Sequence, residues 1–122
     1  MAALGVLLFG HGSRDAAWAA PFEAVAAKLR AEAPSARVAL AYLEFMSPTI
    51  AEAGAMLAAD GCVEVVVVPL FLGVGGHVRK DLPALIDSLA QRHPAVRWRL
   101  AGAIGEHPLV IDAMAAAVRA AL

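Results

Sequence analysis

Four apolar runs, separated by stretches with helical spacing, govern what this chain can fold into. The first runs from Leu4 to Phe9 without a polar interruption, the pattern of a strand buried on both faces. The second is "RVALAYL", residues 37 to 43. The third, "VEVVVVPLFL" at 63 to 72, is the most β-branched and belongs in the middle of a sheet. The fourth, "VRWRLA" at 96 to 101, alternates and reads as an edge strand with one wetter face. Between them, Phe22, Val25, Ala26 and Leu29 have helical spacing, in a helix that begins near Asp15 or at Pro21. "SPT" opens a second helix, with Ser47 as N-cap and Pro48 at the first helical position, closing near Asp60 and Gly61. A third starts near Asp81, turns Leu82, Leu85, Ile86 and Leu89 inward and stops before Pro94. A fourth runs from Pro108 to the end, with Ile111, Ala115, Val118 and Leu122 in register. Strand–helix alternation of this kind predicts an α/β fold: a doubly wound, four-stranded parallel sheet in the order 2-1-3-4, helices on both faces. No linker or low-complexity tract divides residues 1–122, so one domain is expected.

Composition narrows the function classes. The net charge of −1 argues against a general nucleic-acid binder. The single cysteine, Cys62, cannot form an internal disulfide, which fits a reducing compartment, and its place before an apolar run reads as a small buried residue. The first ten residues lack the basic start of a signal peptide, and Pro69 with the following glycines breaks the longest apolar run below membrane-spanning length. A cytoplasmic, soluble protein without membrane partners is expected. The chain is 61% hydrophobic and 17% charged, rich for a small domain. Either surface is covered by a partner, or alanine inflates the figure.

Two glycine-histidine loops stand out. "LLFGHGSRD" at 7 to 15 places His11 after the first strand, and "PLFLGVGGHVRKDLP" at 69 to 83 places His77 after the third. In the order 2-1-3-4 the switch point lies between those strands, where ligands of open α/β sheets bind. Adjacent strands lie about 4.8 Å apart, so both loops leave the sheet side by side, with Glu44 following the second strand. Two imidazoles and a carboxylate suit Fe, Co, Ni or Zn, and equally serve acid–base work. The spacing matches no zinc motif, and either histidine alone reads as a helix cap. Gly73, Gly75 and Gly76 are expected to turn the backbone sharply and leave the space by His77 open. Ser13, Arg14, Arg79 and Lys80 lie near helix N-termini, where an acidic ligand is favoured, although Arg79 and Lys80 read equally as a solvated loop. His93 reads as a helix-end residue, and His107 lies at the rim of the site.

Taken with "AYLEFMSPTI", those two segments resemble the short-form CbiX-type sirohydrochlorin chelatases over nearly the whole chain. The resemblance implies a class II chelatase fold, flavodoxin-like in outline, and insertion of a divalent metal (cobalt foremost, iron or nickel also suited) into a sirohydrochlorin-like tetrapyrrole of cobalamin or sirohaem biosynthesis. It implies no organic cofactor. The metal-binding and catalytic residues fall on His11, His77 and Glu44; Ser13, Arg14, Gly75, Gly76, Arg79 and Lys80 would hold the substrate. Longer relatives carry two such domains, so a homodimer with facing clefts is implied, in keeping with the apolar composition. The histidine-rich segment and extra cysteines of some relatives are absent here. Two other readings use the same residues: a metal carrier without a tetrapyrrole cleft, or a histidine phosphatase with His11 as nucleophile. The latter's Arg-His-Gly order is missing, since Gly10 precedes His11.

Overall fold

The computed structural model describes residues 3–122; the side chain of His77 lies outside the described residues. Strands β1 (Leu4–Gly10), β2 (Arg37–Tyr42), β3 (Glu64–Pro69) and β4 (Arg97–Leu100) form one parallel sheet in the order β2-β1-β3-β4. Helices α1 (Ala20–Glu32), α2 (Ile50–Ala59), α3 (Gly76–Arg92) and α4 (Pro108–Ala120) follow the strands in turn. Both the strand order and the edge position of β4 agree with the sequence pattern.

Strand alternation divides the core between two faces. Leu7 and Phe9 of β1, Ala41 of β2 and Val65 and Val67 of β3 pack with Ile50, Ala53 and Leu57 of α2 and with Leu82 and Leu89 of α3. Burial of each of the larger of these side chains, alanines aside, contributes about 1.5–3 kcal/mol. Leu8 and Val38 turn the other way and meet Ala26 of α1, with Leu29 beside them. Val25 of α1 is exposed. Cys62 is buried, as expected, and burial followed by the charge of Asp60 pushes its thiol pKa up, against a smaller lowering by Arg37. Gly54 lets α2 approach α3 and β4: a Cβ there would lie 2.5 Å from Leu89 Cδ2 and 3.3 Å from the Trp98 ring.

Several boundaries differ from the sequence reading, each for a local reason. Asp15 accepts a hydrogen bond from the Ala17 N–H and opens a 3₁₀ turn, Ala16–Ala19, from which α1 continues with Pro21 in its first turn. The cap of α2 is Thr49, not Ser47. Its hydroxyl accepts from the Glu52 N–H while the Glu52 carboxylate accepts from the Thr49 N–H, a reciprocal pair that Ser47 is too early to make. Pro48 therefore precedes the helix, after a cis peptide bond. β3 stops at Pro69. Beyond it, the Phe71 carbonyl accepts a hydrogen bond from the Gly105 N–H. α3 begins at Gly76, not near Asp81, so His77, Arg79 and Lys80 belong to its first turns instead of a loop.

Candidate active site

The carboxyl ends of β1 and β3 meet where the strand order reverses, and there the backbone is tightly tied. After the register Gly10↔Tyr42, the Leu43 N–H donates to Gly10 O and the Glu44 N–H donates to His11 O, each at 3.0 Å. The ladder between β1 and β2 thus runs on into both loops and holds Glu44 beside His11. On the other side the Leu70 N–H donates to Phe9 O at 2.8 Å, which brings Phe71 alongside. The exposed His11 ring stacks on buried Phe71, centroids 4.2 Å apart and planes 21° from parallel. Phe71 in turn meets Phe9 edge-on at 5.2 Å, so the imidazole rests on the aromatic core.

Gly12 makes this close approach of the loops possible. Its φ is +93°, and a Cβ there would overlap the carbonyl oxygen of Glu44. Ser13 Oγ accepts from the Asp15 N–H at 3.1 Å, folding the loop into the 3₁₀ turn. The Arg14 guanidinium lies over the Phe45 ring, 4.7 Å from its centroid, and Phe45 is itself exposed with a φ of 66°. Beneath this loop, Trp18 packs on Phe22 and Tyr42, and burial followed by the charge of Glu23 raises the Tyr42 pKa.

Across the crevice, Gly75 is the N-cap of α3, and no side chain caps this helix. Its first N–H groups therefore have no side-chain cap, and the helix dipole there favours an anion. A Cβ on Gly73, Gly75 or Gly76 would meet nothing within 4 Å, and none of the three has a positive φ. The expectation of a sharp glycine turn is corrected on this point: these glycines leave space and do not bend the chain in a way other residues could not. His77 is the second residue of α3, its side chain outside the description. Arg79 is exposed and reaches Glu106 at 3.7 Å; Lys80 is exposed. Among the described residues, no three His, Cys, Asp or Glu side chains cluster closely enough to hold a metal.

An apolar groove of about 420 Å³ borders the site, lined by Leu43, Val78, Asp81, Leu82, Ala84 and Leu85. Exposed Phe45 and Leu72 add apolar surface at the ends of the two loops. Gly105 buttresses the floor, because a Cβ on it would overlap the backbone of Leu72. Sequence reasoning passed over Phe71, Phe45 and Gly105. The position of Phe71 two residues beyond β3, level with His11 just beyond β1, was the available signal. His107 caps α4 by accepting the Leu109 N–H at Nδ1, and His93 is the C-cap residue of α3.

The family model CbiX matches residues 5–121. A sirohydrochlorin cobaltochelatase of Saccharolobus solfataricus is 42% identical over 86 residues, 68% of this chain and 63% of the relative. The chain thus spans less than two thirds of that relative's length. Among solved structures, a cobalamin-biosynthesis CbiX protein from Marinobacter aquaeolei VT8 superposes with a TM-score of 0.83 at 35% identity, covering 95% of this chain and 94% of that one. The sirohydrochlorin chelatase SirB from Bacillus subtilis subspecies spizizenii, in complex with cobalt, gives 0.82 at 27% identity, over 95% of this chain and 50% of its own.

Proposed function

The chain belongs to the CbiX family, and from that premise we propose that it is a sirohydrochlorin chelatase, inserting a divalent metal, cobalt foremost, into the tetrapyrrole. Residues 1–122 act as one cytoplasmic domain, paired with a second copy. The observation that supports this best is the exposed His11 ring, stacked on Phe71 and tied through its backbone to Glu44, at the rim of an open, glycine-lined crevice.

Insertion exchanges two pyrrole N–H protons for one divalent ion, M²⁺ entering as two H⁺ leave. The ion must shed its water as the macrocycle nitrogens take over. His11 and His77 supply imidazoles that would bind the incoming ion and accept the departing protons in turn. Glu44 orients an imidazole or passes a proton to solvent. A flat ring needs a wall without side chains, and Gly75 and Gly76 provide one. Its peripheral carboxylates are matched by the uncapped start of α3, by Ser13, by Lys80 and by Arg14 on its Phe45 support. Arg79 can leave Glu106 for a substrate carboxylate at little cost, because an exposed ion pair is worth at most about 1 kcal/mol.

Metal insertion followed by the change in the sirohydrochlorin spectrum, with Co²⁺, Fe²⁺ and Ni²⁺ in competition, tests the reading. His11→Ala and His77→Ala should each fall to the spontaneous rate while the fold is retained. The double variant should be hardly worse than either single, since groups acting on one ion as a unit give non-additive losses. Wild-type turnover in both single variants would remove the histidines from the mechanism.

A further inference from the structure

α4 is at odds with its surroundings. Of its 13 residues only Asp112 and Arg119 are charged, and their seven-residue spacing puts both on one line along the helix. The rest of the circumference is apolar. Yet no α4 residue is buried: Leu109 is 74% exposed, Val118 63% and Ile111 50%. A helix apolar nearly all round is stable only when covered, and one this short is marginal alone in water. Within the chain its main contact is the short 3₁₀ turn Ile104–Glu106 just before it.

The sheet has the complementary deficiency. Among the described residues α2 and α3 line one face, whereas the other is covered chiefly by α1, which packs over β2 and meets Leu8 of β1. On that second face Val66 and Val68 of β3 are only partly buried, Val68 beside the Leu8 cluster, and the pairing Val66↔Arg99 and Glu64↔Arg97 sets two exposed arginines of β4 beside them. A groove of about 440 Å³, lined by Val68, Ala101 to Ile104, Glu106, His107 and Pro108, separates this strip from the first residue of α4. The helix leaves its own strip bare.

We propose that α4 seats on the β3–β4 strip of a second copy of this chain, whose α4 returns the same contact. The dimensions agree: a 13-residue helix is about 20 Å long and a six-residue strand such as β3 about 20 Å. Half the helix surface gives roughly 300 Å² and a two-strand strip roughly 200 Å², so a reciprocal exchange buries on the order of 1,000 Å² in total, enough for a specific interface. The charges agree as well. Asp112, the one acid of α4, meets a strip edged by Arg97 and Arg99, which share the single carboxylate of Glu64. Because one surface contains both helix and strip, a two-fold closes the assembly and leaves no strip bare. The exchange also links the two sites, since the turn that launches α4 contacts Leu72 and carries the Glu106 that holds Arg79.

This inference rests on the two-copy reading above but not on chelatase activity, so its test uses disulfide trapping and mass alone. Full-length chains carrying Ile111→Cys, Ala115→Cys or Val118→Cys are co-expressed with chains carrying Val66→Cys or Val68→Cys and oxidised. Cys62, buried and with a raised thiol pKa, stays out of the reaction. At least one mixed pair should give a covalent dimer joining one chain of each kind. In wild type, light scattering should report twice the chain mass, and Ile111→Asp with Val118→Asp should halve it while the circular dichroism of the sheet is retained. A disulfide inside one doubly substituted chain would show α4 folded on its own strip and overturn the exchange. A dimer that forms no mixed disulfide and keeps its mass with both aspartates would also overturn it, while leaving the two-copy reading intact. A wild-type monomer would overturn both.

Discussion

Phe71→Leu separates the support of His11 from the stability of the core. Phe71 is 3% exposed, stacks on His11 at 4.2 Å and meets Phe9 edge-on at 5.2 Å. Leucine is apolar and only somewhat smaller, so the repacking should cost about 1 kcal/mol. Loss of the aromatic pairings adds about 1 kcal/mol. The sum, about 2 kcal/mol, lowers the melting midpoint of a domain this size by roughly 8 °C and leaves it folded at 25 °C. The effect on metal insertion should be larger in proportion, because a reacting group displaced by about 1 Å can lose about 100-fold in rate. Without its aromatic plate, exposed His11 has alternative rotamers that face away from the crevice. Leu57→Ala is the control: Leu57 is buried on α2 away from the loops, and the substitution costs about 3 kcal/mol. It should therefore lower stability at least as much yet leave the insertion rate per folded molecule unchanged. Circular dichroism melts and spectral insertion assays on both variants decide the matter. If Phe71→Leu inserted metal at the wild-type rate, or if Leu57→Ala lost rate in the same proportion, the stacking would have no positioning role.

Gly12→Ala should destabilise by about 3 kcal/mol or more, since it combines a left-handed φ with an overlap against the Glu44 carbonyl; a denaturant midpoint equal to wild type would refute the geometry of that loop. Thr49→Ala should cost about 1 kcal/mol in denaturant unfolding at pH 7 through loss of the α2 cap. The bonds from the Thr49 backbone and side chain hold the Glu52 pKa below its ordinary value, so its stabilising effect is complete above the unfolded pKa and fades as pH falls through the folded one. Glu52→Gln should accordingly flatten stability against pH below about pH 5, and an unchanged acid limb would contradict the cap. Cys62 should resist alkylation at pH 8 in the native protein and react fully in denaturant; rapid native labelling would contradict its burial.

The order of strands, the switch point and the placing of His11 and Glu44 on the segments that follow β1 and β2 could all be read from the chain. Each rests on signals that are local in sequence: apolar runs, helical spacing, and the handedness of short crossovers. Glycine runs misled in one respect. A glycine followed by polar residues reads as loop, yet Gly75 caps α3, and helix propensity is too weak to keep residues 76 to 80 out of a helix that packing extends. Thr49 displaced Ser47 as a cap because only its spacing to Glu52 closes the reciprocal pair, and two hydroxyl residues flanking Pro48 look alike until backbone geometry selects one. The support of His11 by Phe71 and the clamp of Gly105 on Leu72 join residues about sixty and thirty positions apart, through register between strands that no local pattern contains. α4 shows the division most plainly. Its apolar circumference is written in residues 108 to 120 and requires a cover, but whether that cover lies in the same chain depends on the direction in which the turn at Ile104–Glu106 launches the helix. That direction is set by the contact of Gly105 with Phe71 and Leu72, just beyond β3, a tertiary constraint, and no residue of the helix so placed is buried by its own chain.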